Sequence, residues 1–275
     1  MATLPRMEDI RFEERAVTDP LDVDRPNLAR ATDYLLGGGA NFAADRAAVH
    51  ELLERHPGFE TRVHAARTFV ARAVRDALAR GHDQFVDLGS GIPSVGALHT
   101  LTGLGTRVVY VDVDPVAVAH TREALAGALT AAHVAVRLAD LRDVETVLVE
   151  VAASGIDLRR PVTLVCSSVL QWLTTTSGDE LAAVSAAYRA ALAPGSLLVL
   201  SLPHPDLLPG YAVDEIVPVI AQSIGPVRLR RRAEVAAILD GWDVLAPGLV
   251  DVTAWPAPTG AEPAGYYAAV CAKRL

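Results

Sequence analysis

Residues 84–93 read Gln-Phe-Val-Asp-Leu-Gly-Ser-Gly-Ile-Pro and constrain the fold of this chain more than any other feature. The first half predicts a short buried strand that includes Asp87, and the second half predicts a turn opened by Gly89 and Gly91. Apolar residues then recur at helical spacing as far as Leu101. The stretch therefore predicts a strand, a glycine turn and a helix. In such a unit a nucleotide-like ligand can approach the turn backbone and the free N–H groups at the amino end of the helix.

The same stretch departs from the Gly-x-Gly-x-x-Gly pattern of dinucleotide-binding turns in two ways. Ser94 stands in the place of the third glycine, and Asp87 precedes Gly89 by two residues. A carboxylate at this point would repel a pyrophosphate, whereas it would attract a cation such as the amino group of S-adenosylmethionine. The pattern therefore favours methyl transfer over hydride transfer.

Strand-like and helix-like segments alternate along the chain from this point. The predicted strands are residues 85–88, 107–112, 134–138, 162–168 and 197–202. The predicted helices are residues 116–125, 143–153, 179–191, 213–223 and 230–239. Two further extended segments, 250–255 and 266–272, are expected to close the sheet as an antiparallel hairpin. This order predicts an α/β fold with a Rossmann-like, seven-stranded, mostly parallel sheet and helices on both faces.

The part of the chain before the first strand has a different character. Residues 1–26 are polar and contain three prolines, which predicts a flexible arm that either becomes ordered over the ligand site or stays a mobile terminus. Residues 27–82 contain three predicted helices and form a helical N-terminal cap, and residues 83–275 form the Rossmann-like domain. Three glycines at 37–39 indicate either a close approach to another group or a hinge.

Three aspartates follow successive predicted strands, and the carboxyl ends of parallel strands meet along one crevice. Asp112 follows the glycines at the spacing of a ribose-binding acid, and it can accept hydrogen bonds from two hydroxyls. Asp140 can accept a hydrogen bond from an adenine amino group while the Leu141 N–H faces a ring nitrogen. Any one of these acids, Asp87 included, could instead be the N-cap of a helix. Three at successive strand ends indicate a single ligand site.

These motifs resemble class I S-adenosylmethionine-dependent methyltransferases, through the glycine turn with Asp87 before it and the segment Val-Tyr-Val-Asp-Val-Asp-Pro at 109–115. The chain is more similar still to an actinobacterial S-adenosyl methyltransferase family of undefined substrate. The segments that carry this resemblance are 33–38, 41–46, 87–93, 139–142, 193–196 and 247–250. The resemblance implies S-adenosyl-L-methionine as the cofactor and covers nearly everything from residue 26 onward.

The resemblance also implies roles for individual residues. It places Asp87 near the methionine amino group, Asp112 at the ribose and Asp140 at the adenine, with Ser167 and Ser168 beneath the transferred methyl group. The predicted cofactor-binding residues are Asp87, Gly89, Ser90, Gly91, Asp112, Val113, Asp140, Leu141, Ser167, Arg67 and Tyr34.

The sequence departs from this family at a few positions. Gly39 and Ala40 replace a lysine and an aspartate, Ala66 replaces an asparagine, and Gln171-Trp172 stands where a histidine and an aromatic residue are common. These changes leave the predicted cofactor residues in place and fall on the substrate side. They motivate the alternative of a non-catalytic protein that binds S-adenosylmethionine or S-adenosylhomocysteine.

Arg67, Tyr34 and His204 are candidate site residues, and each could instead have a purely structural role. Arg67 could grip the methionine carboxylate bidentately or could be a solvated arginine on a helix. Tyr34 could cover the cofactor or belong to the core. Methyl transfer depends mainly on positioning, and a base is needed only for an acceptor that must lose a proton. His204 is the weak candidate for that base, although a histidine between prolines is more often structural.

Composition limits the partners. The net charge of −8 disfavours nucleic acid and anionic membranes, so the acceptor is expected to be a small molecule. Cys166 and Cys271 lie in apolar runs and predict buried thiols of a reducing compartment, and no cluster has metal-ligand spacing. With no signal sequence or bilayer-spanning run, the expected location is cytoplasmic. A homodimer is compatible with the sequence, and a nucleotide-dependent oxidoreductase is the third functional alternative, disfavoured by Asp87 and Ser94.

Overall fold

Most of the strands are formed by the apolar runs that the sequence predicts as strands. The structure is a computed structural model that describes residues 22–93, 95–126, 133–205 and 213–274. Residues 1–21 of the predicted arm and Ser94 therefore lie outside the described residues. The strands are β1 (Gln84–Leu88), β2 (Arg107–Asp112), β3 (Val134–Leu138), β4 (Thr163–Ser167), β5 (Leu197–Pro203), β6 (Asp243–Val244), β7 (Val250–Asp251) and β8 (Tyr266–Ala272).

These strands form one sheet in the order β3-β2-β1-β4-β5-β8-β6, and β7 also pairs with β8. The first five strands are parallel, whereas β8 is antiparallel to β5 and to both β6 and β7. Because the chain moves outward from β1 to β3 and then returns to β4, the order reverses between β1 and β4. In open α/β sheets this reversal places a crevice at the carboxyl ends of the strands. The predicted Rossmann-like, mostly parallel sheet is confirmed.

The edge of the sheet differs in detail from the predicted hairpin. One side of β8 is covered by β5, so β6 and β7 share its other side as two pieces of a single edge, and β6 had not been predicted. The predicted strand 250–255 stops at Asp251, where a 3-10 helix, Val252–Ala254, begins. The reason is the Asp251 carboxylate, which accepts hydrogen bonds from the N–H groups of Thr253, Ala264 and Gly265.

The helices agree with the sequence except after the glycine turn. They are α1 (Leu28–Leu35), α2 (Ala43–Arg55), α3 (Phe59–Ala79), α4 (Leu98–Leu101), α5 (Pro115–Leu125), α6 (Val144–Ala153), α7 (Gly178–Ala191), α8 (Val213–Ser223) and α9 (Arg232–Ile238). The helix expected directly after the glycine turn is only the single turn α4, and it begins seven residues beyond Gly91. Pro93 and Gly96, whose φ is +72°, interrupt the helical pattern between them.

Successive strand residues point to opposite faces of the sheet and build two separate cores. Val86 and Leu88 belong to the core under α6, α7 and α9. Phe85 and Tyr110 belong to the core under α3 and α5. Since α3 packs on the sheet, the sheet is covered on both faces before the other N-terminal helices are added. The division into a cap of residues 27–82 and a domain of residues 83–275 stays a prediction.

A third hydrophobic cluster joins α1, α2 and α8. A buried ion pair between Arg30 and Asp45, at 2.8 Å and with both side chains almost fully enclosed, fixes α1 against the start of α2. The same carboxylate accepts the N–H groups of Asn27 and Phe42, each at 2.8 Å. The side chain of Asn27 in turn donates to Asp114 at the end of β2, at 2.8 Å. These contacts hold the N-terminal helices against the carboxyl edge of the sheet.

The glycine run between α1 and α2 makes a close approach within the chain. The Asp33 carboxylate accepts the Ala40 N–H at 2.8 Å and the Asn41 side-chain amide at 2.9 Å. A Cβ atom at Gly38 would lie 2.0 Å from Asp33 Oδ1, whereas one at Gly39 would meet nothing within 4 Å. The close approach that the sequence indicated is therefore made by Gly38 to the Asp33 side chain.

Gly38→Ala is expected to lower the free energy of unfolding by about 2 kcal/mol, because Asp33 must move and its hydrogen bonds weaken. Gly39→Ala is the matched control and is expected to change stability by less than about 0.5 kcal/mol. Urea denaturation of both variants measures the difference. Equal effects of the two substitutions would show that the contact with Asp33 does not hold the loop.

Candidate functional site

The N–H groups of the glycine turn are bonded to the neighbouring strand. Gly89 and Ser90 donate to the carbonyl of Val111 at 2.8 and 3.2 Å, and Gly91 donates to the carboxylate of Asp112 at 2.7 Å. The expectation of free N–H groups at the amino end of a helix is therefore wrong for this turn. Without free donors it is poorly suited to a phosphate, which agrees with the carboxylate that precedes it.

The two glycines of the turn have different reasons to lack a side chain. Both have positive φ, +68° at Gly89 and +59° at Gly91. A Cβ atom at Gly89 would lie 2.1 Å from the Val169 side chain, so this glycine makes room for the loop after β4. A Cβ atom at Gly91 would meet nothing within 4 Å. Gly91 is therefore the position where a ligand can approach the backbone.

Asp87 is the buried acid of the site. Its residue is 4% exposed, and no hydrogen bond from the described residues reaches its carboxylate. Burial raises the pKa of Asp87 to about 6, the charge of Arg67 lowers it in part, and that of Asp112 raises it. A carboxylate in this position is a ready acceptor for a cationic hydrogen-bond donor.

Arg67 reaches the turn from α3. Its Nε donates to the carbonyl of Val95 at 3.2 Å, and its side chain lies close to Gly96. The guanidinium therefore lies beside the segment that follows the glycine turn and acts on the charge of Asp87. The structure brings together the Asp87 carboxylate and the Arg67 guanidinium, which could hold an ammonium and a carboxylate respectively.

Asp112 links the turn to the start of α5. One carboxylate oxygen accepts the Gly91 N–H and the other accepts the Asp114 N–H at 2.9 Å. Burial raises the pKa of Asp112, and these backbone hydrogen bonds oppose the rise. Val113, the next residue, is 56% exposed, although it is apolar. An acid beside an exposed apolar side chain offers acceptors for hydroxyls and a surface for a flat ring.

Asp140 is engaged by its own neighbour. The Arg142 guanidinium forms a bidentate ion pair with both oxygens, and the backbone N–H of Arg142 also donates to one of them. This partner lies only two residues away and could have been anticipated from the sequence. The carbonyl of Leu141 accepts the Tyr188 hydroxyl at 2.8 Å. An adenine contact of Asp140 stays a prediction that must compete with Arg142.

The end of β4 contains a strained residue that sequence reasoning did not detect. Ser168 has φ of +55°, which is rare outside glycine. Its N–H donates to the carbonyl of Ser201, while the hydroxyls of Ser167 and Ser201 are 2.7 Å apart. No local signal marks such a serine. Strain of this kind occurs most often where a structure is shaped for a ligand.

Two predicted residues lie in other surroundings. The Tyr34 ring packs with the cluster of α1, α2 and α8, and its hydroxyl lies 2.8 Å from His50. His204 is fully buried, with its ring stacked on Tyr267 at 3.9 Å. The cofactor contact of Tyr34 and the catalytic role of His204 stay predictions from the sequence.

Comparison with known proteins places the chain in a family. The chain matches the family model described as S-adenosyl methyltransferase over residues 14–273. A candidate methyltransferase from Thermobifida fusca is 30% identical, with a TM-score of 0.80 and coverage of 96% of this chain and 100% of that one. A DUF574 family protein from Streptomyces avermitilis is 28% identical, with a TM-score of 0.80 and coverage of 92% and 99%.

A more distant likeness concerns the fold alone. Magnesium protoporphyrin IX methyltransferase from Synechocystis, solved with bound SAM, is 14% identical, with a TM-score of 0.51 over 89% of this chain and 90% of that one. No curated protein matches the chain. Among the described helices, none is both long enough and apolar enough to cross a bilayer.

The raised pKa of Asp87 predicts a pH-dependent gain from Asp87→Asn in the protein without ligand. Because the folded-state pKa of about 6 exceeds the unfolded value of 3.8, the native carboxyl favours folding when protonated, and this contribution is lost as pH rises through about 6. Asp87→Asn should therefore match the wild type at pH 4 and be about 3 kcal/mol more stable above pH 7. Urea unfolding of both proteins across this range measures the difference in free energy of unfolding. A difference that does not change with pH would contradict a pKa raised by burial.

Proposed function

Because the chain belongs to the S-adenosyl methyltransferase family and its cofactor is S-adenosylmethionine, we propose that it transfers the methyl group to a small organic acceptor. The observation that carries this proposal is the Asp87 carboxylate, buried at the end of β1 without a hydrogen bond from the described residues. An ammonium is a suitable partner for such a group, because it supplies a positive charge and hydrogen-bond donors, and no described residue donates to this carboxylate.

The other strand ends fit the remaining parts of the cofactor. We assign the methionine carboxylate to Arg67, whose guanidinium keeps further donors beyond the bond to Val95. The ribose hydroxyls are assigned to Asp112, because each of its oxygens accepts one backbone N–H and retains a lone pair. Adenine is assigned to the space between Val113 and Leu141. Asp140 lies beside that space and is oriented by its pair with Arg142.

The chain's contribution to the reaction is positional. When bound, S-adenosylmethionine supplies a methyl carbon made electrophilic by the positive sulfur. Asp87, Asp112 and Asp140 hold the ammonium, ribose and adenine groups. The open space at Gly91 lets the cofactor lie close to the turn, and Ser167 with Ser168 forms the floor at the end of β4. Because displacement at this carbon is in line, holding the acceptor at the correct angle supplies most of the rate.

Charge and compartment support a small acceptor. The net charge of −8 repels nucleic-acid backbones, which leaves neutral or cationic small molecules as the better partners. We also propose a cytoplasmic location, supported by Cys166 and Cys271, which are buried thiols without a disulfide.

Substitution of the buried acid should weaken cofactor binding. Asp87→Asn is expected to raise the Kd for S-adenosylmethionine by about 30-fold, the equivalent of roughly 2 kcal/mol, because the ammonium loses its buried partner. Wild-type affinity should also fall as pH drops below the pKa of about 6 and level off near the affinity of Asp87→Asn, because the carboxyl becomes protonated. Titration calorimetry measures both effects.

Asp83→Asn is the matched control for this experiment. Asp83 immediately precedes the same strand, lies at its opposite end and forms an exposed pair with Arg160. Its substitution should change the Kd less than about twofold. Equal effects of the two substitutions would mean that Asp87 does not contact the cofactor.

Methyl transfer itself is tested with S-adenosylmethionine labelled in the methyl group, incubated with separate small-molecule, protein and nucleic-acid fractions of a cell extract. The label is expected in the small-molecule fraction with the wild type, and at cofactor concentrations near the wild-type Kd it is expected to be much lower with Asp87→Asn. Transfer into protein or nucleic acid would overturn the proposed acceptor class. Tight cofactor binding with no transfer into any fraction would favour the non-catalytic alternative.

A further inference from the structure

A cavity of about 40 Å³ opens next to the carboxyl ends of β4 and β5. Its walls come from the start of α3, the 3-10 helix Leu170–Trp172, α8 and the strand β8. Most of the lining is apolar or aromatic, including Phe59, Trp172, Ile216 and Ile220. A cavity of this size can enclose only the edge of an organic molecule.

Gln171 gives this cavity an unusual polar group. The residue is 4% exposed, and its side-chain Nε2 donates to the Ser168 carbonyl at 2.8 Å. Its backbone carbonyl accepts the Arg228 N–H at 2.8 Å. The remaining polar atom, Oε1, is buried and has no hydrogen-bond partner in the part of the chain that the structure describes. A buried acceptor without a donor is costly, and Gln171 is one of the residues that line the cavity, so a ligand in the cavity is the candidate source of that donor.

The same wall is fixed to the proposed reaction centre. Trp172 Nε1 also donates to the Ser168 carbonyl, at 3.1 Å, so both side chains are anchored on the strained residue that ends β4. The orientation of Gln171 is therefore set by Ser168, which holds Oε1 in one position on the segment that follows β4. Fixed polar groups in an apolar pocket determine which edge of a ligand enters.

We propose that this cavity is the acceptor subsite, and that it takes an apolar edge bearing a hydroxyl, an uncharged amine or a ring N–H that donates to Gln171 Oε1. This assignment rests on the proposed function, because it places the acceptor beside the site assigned to the cofactor. Gln171 acts here as a specificity-determining residue. An acceptor edge that offers only hydrogen-bond acceptors would leave Oε1 unpaired and would face it with a second lone pair.

Pyrrole and furan are suitable probes, because the two rings have nearly the same shape but only pyrrole has an N–H donor. Ligand-observed NMR titrations with the full chain in the presence of S-adenosylhomocysteine measure their affinities. Pyrrole is expected to bind about tenfold more tightly than furan to the wild type. Gln171→Leu and Gln171→Met should reduce this preference to about onefold. Gln222→Leu, an exposed glutamine of α8, should preserve it.

The wild-type comparison keeps the test decisive even if a Gln171 variant fails to fold. Equal binding of pyrrole and furan to the wild type, or no measurable binding of either, would overturn the inference. A preference for pyrrole that survives in folded Gln171→Leu or Gln171→Met would overturn it as well. Calorimetry with S-adenosylhomocysteine in the same samples separates this failure from that of the proposed function. Normal cofactor binding with no pyrrole preference rejects only the acceptor subsite.

Discussion

The burial of the Asp87 carboxylate at the end of the central strand is the constraint on which the arrangement of the site depends. The nearest backbone donors do not compensate it, because the N–H groups of Gly89, Ser90 and Gly91 are all used by β2. The charge of Arg67 favours ionisation of this acid without a direct hydrogen bond from the described residues. A fold built only for stability would place an apolar residue here. A buried acid at the topological switch point is the feature on which the proposed pairing with a cationic ligand rests.

A continuous set of hydrogen bonds connects this site to the N-terminal helices. Asp112 accepts from the turn at Gly91 and from Asp114, Asp114 accepts from Asn27, and Asn27 donates to Asp45. Most of these contacts are partly buried, where hydrogen bonds to a charged group are stronger than on the surface. The position of α1 and α2 is thus coupled to the geometry of β2.

Much of this architecture could be predicted because it depends on local patterns. The bounds of β2, β3 and β8 follow from apolar runs, and α8 has the predicted bounds 213–223. Prediction from the sequence was wrong where residues distant along the chain determine the conformation. The edge strand stops at Asp251 because its carboxylate binds N–H groups 13 and 14 residues later, and no window around that residue contains this information.

The candidate site shows the same division between local and distant effects. Its acids could be placed because an aspartate after a predicted strand must lie at the carboxyl edge of the sheet. The conformation of Ser168 could not be predicted, since it depends on Ser201 from the neighbouring strand. The unpaired oxygen of Gln171 could not be predicted either, because it exists only after Ser168 and Arg228 have taken the other polar atoms of that residue.

These unpaired oxygens suggest how one edge of the sheet can distinguish two ligands. The acid of Asp87 ends β1 and the amide of Gln171 follows β4, and the two strands are neighbours at the point where the sheet order reverses. Both groups are acceptors that the described part of the protein leaves without donors, but only the first carries a charge. A cationic donor is therefore favoured at the first position, while a neutral donor suits the second, where ammonium would gain no ion pair. The cofactor and the acceptor would then be kept in their own places by the difference in charge between two hydrogen-bond acceptors.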